Sequence, residues 1–385
     1  GAKQNGFEGV ILPVDNVKEA AVVDNLDIYP VSSLQEAVDF LNGDLFISPF
    51  RHDLQEVFSR KSEHLIGFED VKGQEYAKRA IEVAAAGGHN LLMIGPPGSG
   101  KTMLAKRIPT ILPDMTLDEA LETTKIHSIM GFMGENISVI VQRPYRSPHH
   151  TISDAGLIGG GQIPKPGEVS LAHNGVLFLD ELPEFRKDVL EVMRQPLEDL
   201  QVTISRSAAS ITYPSNFMLV AAMNPCPCGF FGDLARECRC RPEEIQRYIS
   251  KISGPLLDRI DIQVEVPAVK YEDLSSDMQG ESSREICQRV QTARKLQQNR
   301  FENVQIHSNA NMQPQQIRDY CQVEDDSQKL LEVAIKQLGM SARAYDRILK
   351  VSRTIADLDG NARIHPSHVS EAIQYRGLDR DFWSK

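Results

Sequence analysis

The chain has 385 residues, with 42 Lys and Arg against 53 Asp and Glu, which gives a formal net charge of −11. It contains no apolar run of about 18 residues, so the sequence excludes a transmembrane helix. Six cysteines in this length are too few for a disulfide scaffold. The acidic balance argues against a polycationic nucleic-acid coat protein. No signal-peptide pattern opens the chain, and we expect a cytoplasmic protein with no membrane partner.

The amino-terminal segment predicts two short strands and one helix. Residues 10–12 and 26–29 are apolar runs that each stop at a proline, and Ser33 is a suitable N-cap for a helix over residues 34–41. These elements bury too little surface to fold alone, so we expect the end of a larger domain. Residues 1–70 also hold 5 basic and 13 acidic residues, which places most of the excess acidity here.

From Phe68 onward the sequence alternates between apolar runs and helical patterns, which is typical of an α/β domain. Residues 90–94, 176–179 and 217–221 are nearly continuous apolar runs, as expected for strands buried on both faces of a parallel sheet. Beyond about residue 280 the pattern becomes helical. Helices are predicted over residues 281–300, 329–337, 341–358 and 367–374.

A phosphate-binding loop follows the first of these strands. Residues 95–102 fit the pattern G-x-x-x-x-G-K-[ST] between a buried strand and a helical stretch, which is the context that confirms this motif. Lys101 is expected to reach the β- and γ-phosphates, and the hydroxyl of Thr102 to bind Mg²⁺. The predicted cofactors are therefore ATP and Mg²⁺. The predicted nucleotide-binding residues are Gly95, Pro96, Pro97, Gly98, Ser99, Gly100, Lys101, Thr102 and Met103.

The other two apolar strands also end in polar residues. Asp180 and Glu181 follow one of them, and a P-loop hydrolase needs one acid on Mg²⁺ and one group that orients or deprotonates water. We assign Asp180 to the metal and Glu181 to the water. Asn224 follows the third strand, where it either holds the attacking water, senses the γ-phosphate or simply makes a turn before Pro225.

Four of the six cysteines lie within 15 residues. Cys226, Cys228, Cys238 and Cys240 form two C-x-C pairs, and four thiolates can complete a tetrahedral zinc site. The spacing is tighter than the usual C-x₂-C, so reduced thiols and redox pairing stay open as alternatives. Basic residues surround the pairs, which allows a zinc-stapled knob that contacts DNA. These residues are Arg236, Arg239, Arg241, Arg247 and Lys251.

Several longer motifs accompany the phosphate loop. They are R-P-Y-R-S-P-H-H (143–150), G-G-G (159–161), G-E-V-S-L-A-H-N-G (167–175), M-N-P-C-P-C-G (223–229), G-P-L-L-D-R-I-D (254–261) and S-A-R-A-Y (341–345). From residue 7 to about 376, the chain resembles the magnesium-chelatase-like AAA+ ATPases of the ComM/YifB type. The resemblance implies an α/β AAA+ P-loop NTPase with a parallel sheet, β-hairpin insertions and an all-α lid.

The resemblance also divides the chain into four parts. Residues 1–46 resemble the carboxyl-terminal part of an amino-terminally truncated Lon-protease-like domain. Residues 47–270 would be the AAA+ ATPase core with its pore insertions and cysteine cluster, residues 271–305 a linker helix, and residues 306–385 the helical lid.

Two arginines receive roles from the same resemblance. Arg259 resembles the arginine finger that reaches a neighbouring subunit's γ-phosphate, and Arg343 resembles the lid arginine that contacts the γ-phosphate of its own subunit. The alternatives are a surface ion network around Arg259 and a solvated helix charge at Arg343. A finger requires subunits that touch, so we expect a ring, specifically a hexamer with nucleotide.

Two insertions point toward a central pore. Residues 201–205 and 211–213 alternate apolar and polar side chains, which predicts a β-hairpin before the third strand. The resemblance implies that this hairpin projects into the ring channel with Arg206 at its tip, while residues 158–165 offer Lys165 to DNA phosphates. The alternative is two surface loops with incidental cations.

Three functions fit these expectations. The first is an ATP-driven motor on single-stranded or branched DNA, a helicase or branch-migration translocase in recombination or natural transformation. The second is a magnesium-chelatase-type motor subunit that drives metal insertion through a partner. The third is a Lon-like ATP-dependent protease or a protein remodeller. The cysteine cluster and the Lon-like stub favour the first over the second, and the first 44 residues offer no Ser/Lys protease dyad.

Overall fold

The computed structural model describes residues 2–21, 26–50, 66–132, 139–161, 164–205, 210–233, 236–269, 280–302, 304, 306–338 and 341–378. The chain groups into two compact units, one of residues 1–63 with 115–142 and one of residues 64–114 with 143–385. The four-part division expected from the sequence stays a prediction.

The strands and helices of the described residues are as follows. The strands are β1 (Gly9–Pro13), β2 (Asp27–Val31), β3 (Leu91–Ile94), β4 (Tyr145–Arg146), β5 (Gly159–Gly160), β6 (Lys165–Pro166), β7 (Val176–Leu179), β8 (Gln201–Ser205), β9 (Ser210–Pro214), β10 (Met218–Met223) and β11 (Ile262–Glu265). The α-helices are α1 (Val17–Ala20), α2 (Leu34–Asn42), α3 (Glu75–Gly87), α4 (Lys101–Arg107), α5 (Leu117–Ile129), α6 (Asp154–Ile158), α7 (Glu168–Leu171), α8 (Lys187–Val192), α9 (Arg194–Asp199), α10 (Pro242–Ile249), α11 (Gly254–Leu257), α12 (Ser283–Arg300), α13 (Pro314–Tyr320), α14 (Asp325–Leu338), α15 (Ala342–Leu358) and α16 (Pro366–Gln374).

The first unit contains the predicted strand, strand and helix. β1 pairs with β2 in parallel, with the one-turn helix α1 between them. Ser33 is the N-cap of α2 and its side chain accepts a hydrogen bond from the Glu36 amide, while Gly43, with φ 84°, is the C-cap. A side-chain cap at one end and a left-handed glycine at the other are the signals expected from the sequence.

The second unit is built on a parallel sheet in the order β11-β3-β10-β7-β4. The three strands predicted from apolar runs are β3, β10 and β7, and they occupy its centre. Alternate residues of β3 enter different hydrophobic layers: Leu91 and Met93 face one layer, while Leu92 and Ile94 face the other. Because helices cover both faces, a continuous apolar run is required rather than an alternating one.

The four predicted carboxyl-terminal helices are confirmed as α12, α14, α15 and α16, with shifted ends. α14 begins at Asp325 rather than at residue 329, because its polar first turn carries no apolar periodicity. Ile348 of α15 and Val369 of α16 share one hydrophobic core with Ala84 of α3 and with the sheet. None of the helices in the described part of the chain has the length and apolar character that a membrane span needs.

Both insertions form antiparallel pairs. β8 pairs with β9 over five residues each, which confirms the predicted hairpin, and β5 pairs with β6. Residues 206–209, which include Arg206, lie outside the described residues.

Asn90 connects three strands where they begin. Its side-chain oxygen accepts from the Leu219 amide at 2.8 Å, and its side-chain nitrogen donates to the Arg259 carbonyl at 2.8 Å. Its carbonyl also accepts from the amides of Asp261 and Ile262. The amino ends of β3, β10 and β11 are therefore held by one residue.

Candidate functional site

The carboxyl edge of the sheet carries the predicted phosphate loop. The loop follows β3 and leads directly into α4, with Met103 in the first turn of that helix. Gly98 and Gly100 have φ values of 78° and 87°, a left-handed conformation that glycine adopts without steric cost. The backbone thus turns sharply at a helix start, where amide groups and the helix dipole favour an anion.

Lys101 bends back over this loop. Its Nζ donates to the carbonyl oxygens of Gly95 at 2.7 Å and Pro96 at 2.9 Å, and lies 3.3 Å from Oδ1 of Asn224. Burial lowers the pKa of Lys101 to about 8, although Asp180 acts in the opposite direction. A cation that the protein stabilises this poorly is suited to an incoming anion.

Thr102 and Asp180 supply adjacent oxygens at the same edge. The Thr102 hydroxyl donates to Oδ2 of Asp180 at 2.6 Å, while the Glu181 amide donates to Oδ1 of Asp180 at 3.0 Å. A hydroxyl and a carboxylate at this separation fit a magnesium ion that retains several water ligands. The structure thus brings together four predicted residues: Lys101, Thr102, Asp180 and Asn224.

Glu181 lies beside a histidine that sequence reasoning did not assign to the site. Oε2 of Glu181 is 3.6 Å from Nδ1 of His150, and the ring of His150 packs 4.1 Å from that of His149. Glu181 has φ 52°, an uncommon left-handed conformation for a residue with a side chain, of the kind that often occurs at functional sites. Two adjacent histidines without the spacing of metal ligands give no indication in the sequence that His150 lies beside Glu181.

The predicted arginines meet in a cavity at the opposite edge of the sheet. This cavity of about 330 Å³ is lined by Arg259 and Arg343 together with Arg347 and Lys350. It is also lined by Asn90, Phe217 and Asp261, which immediately precede β3, β10 and β11. Because these strands are parallel, the cavity lies at their amino ends, about 16 Å from the phosphate loop for five residues of strand.

Arg259 is held inside this cavity by its own chain. Its guanidinium donates to the Pro255 carbonyl at 2.6 Å and pairs with Glu198, while its buried Nε has no hydrogen-bond partner among the described residues. It is 8% exposed, whereas the side chain of its partner Glu198 is 56% exposed, and the role of Arg259 as an arginine finger stays a prediction.

Arg343 projects from the first turn of α15, whose N-cap is Ser341 as predicted. The cavity that it lines contains no phosphate-loop residue. Arg343 therefore lies away from its own phosphate loop in this arrangement, and its contact with a γ-phosphate stays a prediction. The packing of α15 against α3 places the arginine at the amino edge instead.

The four clustered cysteines have the geometry of a metal site. Their sulfur atoms all lie within 4.8 Å of one another, and three pairs are separated by 3.4, 3.7 and 3.6 Å. A tetrahedral ion with Zn–S bonds of 2.3 Å requires sulfur separations of about 3.8 Å. A backbone hydrogen bond from Phe230 lowers the pKa of the Cys228 thiol to about 6, whereas burial raises that of Cys240.

The candidate DNA contacts are only partly described. Lys165 is exposed at the start of β6, whereas Arg206 lies outside the described residues. Their contact with DNA stays a prediction.

Comparison with known proteins now gives the family. The family model for magnesium chelatase, subunit ChlI, matches residues 67–274, and the model for its carboxyl-terminal part matches residues 280–376. The chain belongs to the magnesium-chelatase ChlI family. This membership makes it an AAA+ protein with the α/β P-loop fold, in a family of ATPases for which ATP and Mg²⁺ are typical. Members of the family are typically oligomeric.

Two relatives match nearly the whole chain, and a third matches less than half of it. Competence protein ComM of Haemophilus influenzae is 43% identical over 98% of this chain and 74% of its own length. YifB of Escherichia coli is 45% identical over 96% of this chain and 71% of its own length. The magnesium-chelatase 67 kDa subunit of Chlorobaculum parvum is 28% identical over 42% of this chain and 24% of its own length. The resemblance to the ComM/YifB type is confirmed.

Proposed function

We propose that this chain is an ATP-hydrolysing ring motor on DNA, a helicase or branch-migration translocase that works as a hexamer in the cytoplasm. The observation that carries the proposal is the convergence of Lys101, Thr102, Asp180 and Asn224 at one edge of the sheet. The competence role in the name of the relative ComM supports DNA as the substrate.

Residues 95–103 would bind ATP, and each polar residue at the edge would take a separate part in hydrolysis. Lys101 would leave the loop carbonyls to bind the β- and γ-phosphates, since its charge is poorly stabilised in the nucleotide-free protein. Thr102 and Asp180 would hold Mg²⁺, which offsets phosphate charge when it is bound. Glu181 would accept the proton of the attacking water, and Asn224 would orient that water or the γ-phosphate.

Arg259 and Arg343 would both serve the nucleotide of a neighbouring subunit. They line one cavity at the edge of the sheet opposite to their own phosphate loop. A guanidinium offsets the negative charge that develops on the transferred phosphoryl group. The cavity would therefore complete the active site of the next subunit in the ring.

DNA would be gripped by the two hairpins. β6 exposes Lys165, and the β8–β9 hairpin would carry Arg206 at its turn. Residues next to the cysteine cluster would add further phosphate contacts, because Arg236, Arg241 and Lys251 supply positive charge there. Backbone contacts of this kind position a strand without reading its sequence.

A second candidate function is that of a metal-chelatase motor subunit. The match to the magnesium-chelatase 67 kDa subunit favours it, although that match spans less than half of the chain. Such a motor needs no DNA and would couple hydrolysis to a protein partner.

Hydrolysis of ATP with and without DNA tests the proposal. We expect single-stranded and forked DNA to raise the rate, and Glu181→Gln to reduce it by about 10²-fold or more while ATP still binds. Arg206→Ala should remove the stimulation by DNA and keep the basal rate. Arg318→Ala, which removes an exposed arginine from α13, is the matched control. A ring-forming protein that neither binds DNA nor responds to it would overturn the DNA motor and leave the chelatase motor.

A further inference from the structure

The cysteine cluster lies directly against the proposed ATP site. Cys226 comes two residues after Asn224, whose side chain contacts Lys101 at 3.3 Å. Three residues further along, Gly229 packs on the phosphate loop so closely that a Cβ there would lie 2.4 Å from Cδ of Pro97. One short segment therefore touches the phosphate loop at two points and carries two of the four clustered cysteines.

The cluster joins the two arms of a loop. Cys226 and Cys228 belong to the arm that touches the phosphate loop, and Cys238 and Cys240 belong to the returning arm before α10. The Cys228 amide donates to the Cys240 sulfur and the Phe231 amide to the Cys226 sulfur, each at 3.3 Å. Amide donors of this kind stabilise thiolates and orient them on a metal.

A single soft divalent ion fits this set of ligands. Four sulfur atoms within 4.8 Å of one another match a tetrahedral thiolate site, and all four cysteines are free of disulfides. Such an ion would tie the two arms together at four points, whereas four neutral thiols offer only weak S–H contacts. The position of the first arm would then depend on the ion.

We propose that Cys226, Cys228, Cys238 and Cys240 bind a zinc-class ion that holds Asn224 and the phosphate loop in the geometry for ATP binding. The inference rests on the proposed ATP site and adds a control to it: the metal content of the cysteine loop sets the affinity for ATP. Loss of the ion frees the first arm, and with it the contacts at Pro97 and Lys101.

Metal content and nucleotide affinity are measured separately on the whole chain. We expect one zinc per chain in the reduced protein by elemental analysis, and thiolate-to-metal absorption after replacement by Co²⁺. Removal of the ion by a chelator, followed by dialysis into Mg²⁺, should weaken binding of a fluorescent ATP analogue about tenfold. Cys240→Ser should reproduce both losses. Cys287→Ser, the same change outside the cluster, should reproduce neither.

Substitutions at two glycines test the contact with Pro97 independently of the metal content. Gly229→Ala keeps all four ligands but drives a methyl group into Pro97, so we expect normal zinc content with about tenfold weaker binding of the analogue. Gly232→Ala is the matched control, because Gly232 has a similar φ of 79° against 87° and no atom within 4 Å of its Cβ position. It should change binding less than twofold.

Each outcome has a separate meaning. Reduced wild-type protein without a bound metal overturns the metal centre. Bound metal with equal analogue affinity in loaded and stripped protein overturns the coupling, as do equal affinities of the Gly229 and Gly232 variants. If loaded wild-type protein does not bind the analogue at all, the proposed ATP function fails as well, and the zinc measurement still reports on the cluster alone.

Discussion

The two edges of the parallel sheet differ in how far their charges are satisfied. At the carboxyl edge, Lys101, Thr102, Asp180 and Asn224 are bonded to one another or to the loop backbone. At the amino edge, four cations face Glu198, Asp261 and Asp346 around one cavity, and Nε of Arg259 has no partner among the described residues. The first edge offers bonded groups that can receive an anion, and the cavity at the second edge is lined by four cations against three carboxylates.

Under the proposed function, each chain would hold two half-sites. The phosphate loop and the arginine cavity are separated by the length of a strand, so a single nucleotide cannot touch both in one chain. Hydrolysis should therefore depend on pairs of chains.

The largest effect is expected at Arg259. We expect Arg259→Ala to lower kcat for ATP hydrolysis about 10³-fold with nucleotide binding unchanged, because the lost guanidinium is the one that we propose to act on a neighbour's transition state. Mixing this variant with Glu181→Gln protein should restore activity above that of either alone, since mixed contacts combine an intact carboxylate with an intact arginine. Mixtures as inactive as their components would contradict action between subunits.

Arg343→Ala should have a smaller effect, about a tenfold loss of kcat, because Arg259 remains in the cavity. Its partner in the mixing experiment is again the Glu181→Gln protein. Restored activity is expected if Arg343 serves a neighbouring chain. If the mixture stays inactive while the Arg259→Ala mixture regains activity in the same assay, Arg343 acts on the nucleotide of its own subunit.

His150→Gln tests whether His150 positions the Glu181 carboxylate at the carboxyl edge. Without the imidazole 3.6 Å from its carboxylate, Glu181 is free to rotate, so we expect kcat to fall about fivefold at constant KM. His149→Gln is the control, because His149 contacts Thr151 rather than the carboxylate. Equal effects of both substitutions, or a change in KM alone, would remove His150 from the positioning of Glu181.

The smallest expected effect is the uptake of a fraction of a proton by Lys101 when ATP binds. Its lowered pKa of about 8 means that part of the nucleotide-free protein lacks this charge at pH 8, whereas bound phosphate favours the charged form. ATP binding should therefore take up about half a proton at pH 8 and almost none at pH 6.5, with affinity falling above pH 8. Calorimetry in buffers of different ionisation enthalpy measures this uptake. Lys101→Arg, which stays charged, should show none.

The sequence was most informative where chemistry depends on neighbours in the chain. The phosphate loop, the three central strands and the β8–β9 hairpin follow from local spacing and periodicity, and the structure has them close to the predicted residues. β4 was not predicted, because an edge strand of two residues is too short to show a period.

Contacts between distant segments could not be predicted in the same way. The position of Arg343 depends on how Ile348 and Val369 pack against Ala84, which no spacing within α15 encodes. The contact of His150 with Glu181 joins the segments that follow β4 and β7, and the two residues are 31 positions apart in the sequence. The sequence motifs identified Arg259 and Arg343 as candidate site residues, but only tertiary packing decides which edge of the sheet they occupy.

Asn90 connects the amino edge of the sheet to the phosphate loop through β3. β3 is four residues long, with the phosphate loop attached at one end and Asn90 at the other. The Asn90 side chain holds the carbonyl of Arg259 itself. A displacement of the phosphate loop would therefore be transmitted along β3 to the backbone of Arg259, the residue that we propose to serve the next chain. Asn90→Leu would remove both side-chain hydrogen bonds at this end of β3. Each chain should still bind nucleotide, but binding in one chain should no longer affect hydrolysis in its neighbour.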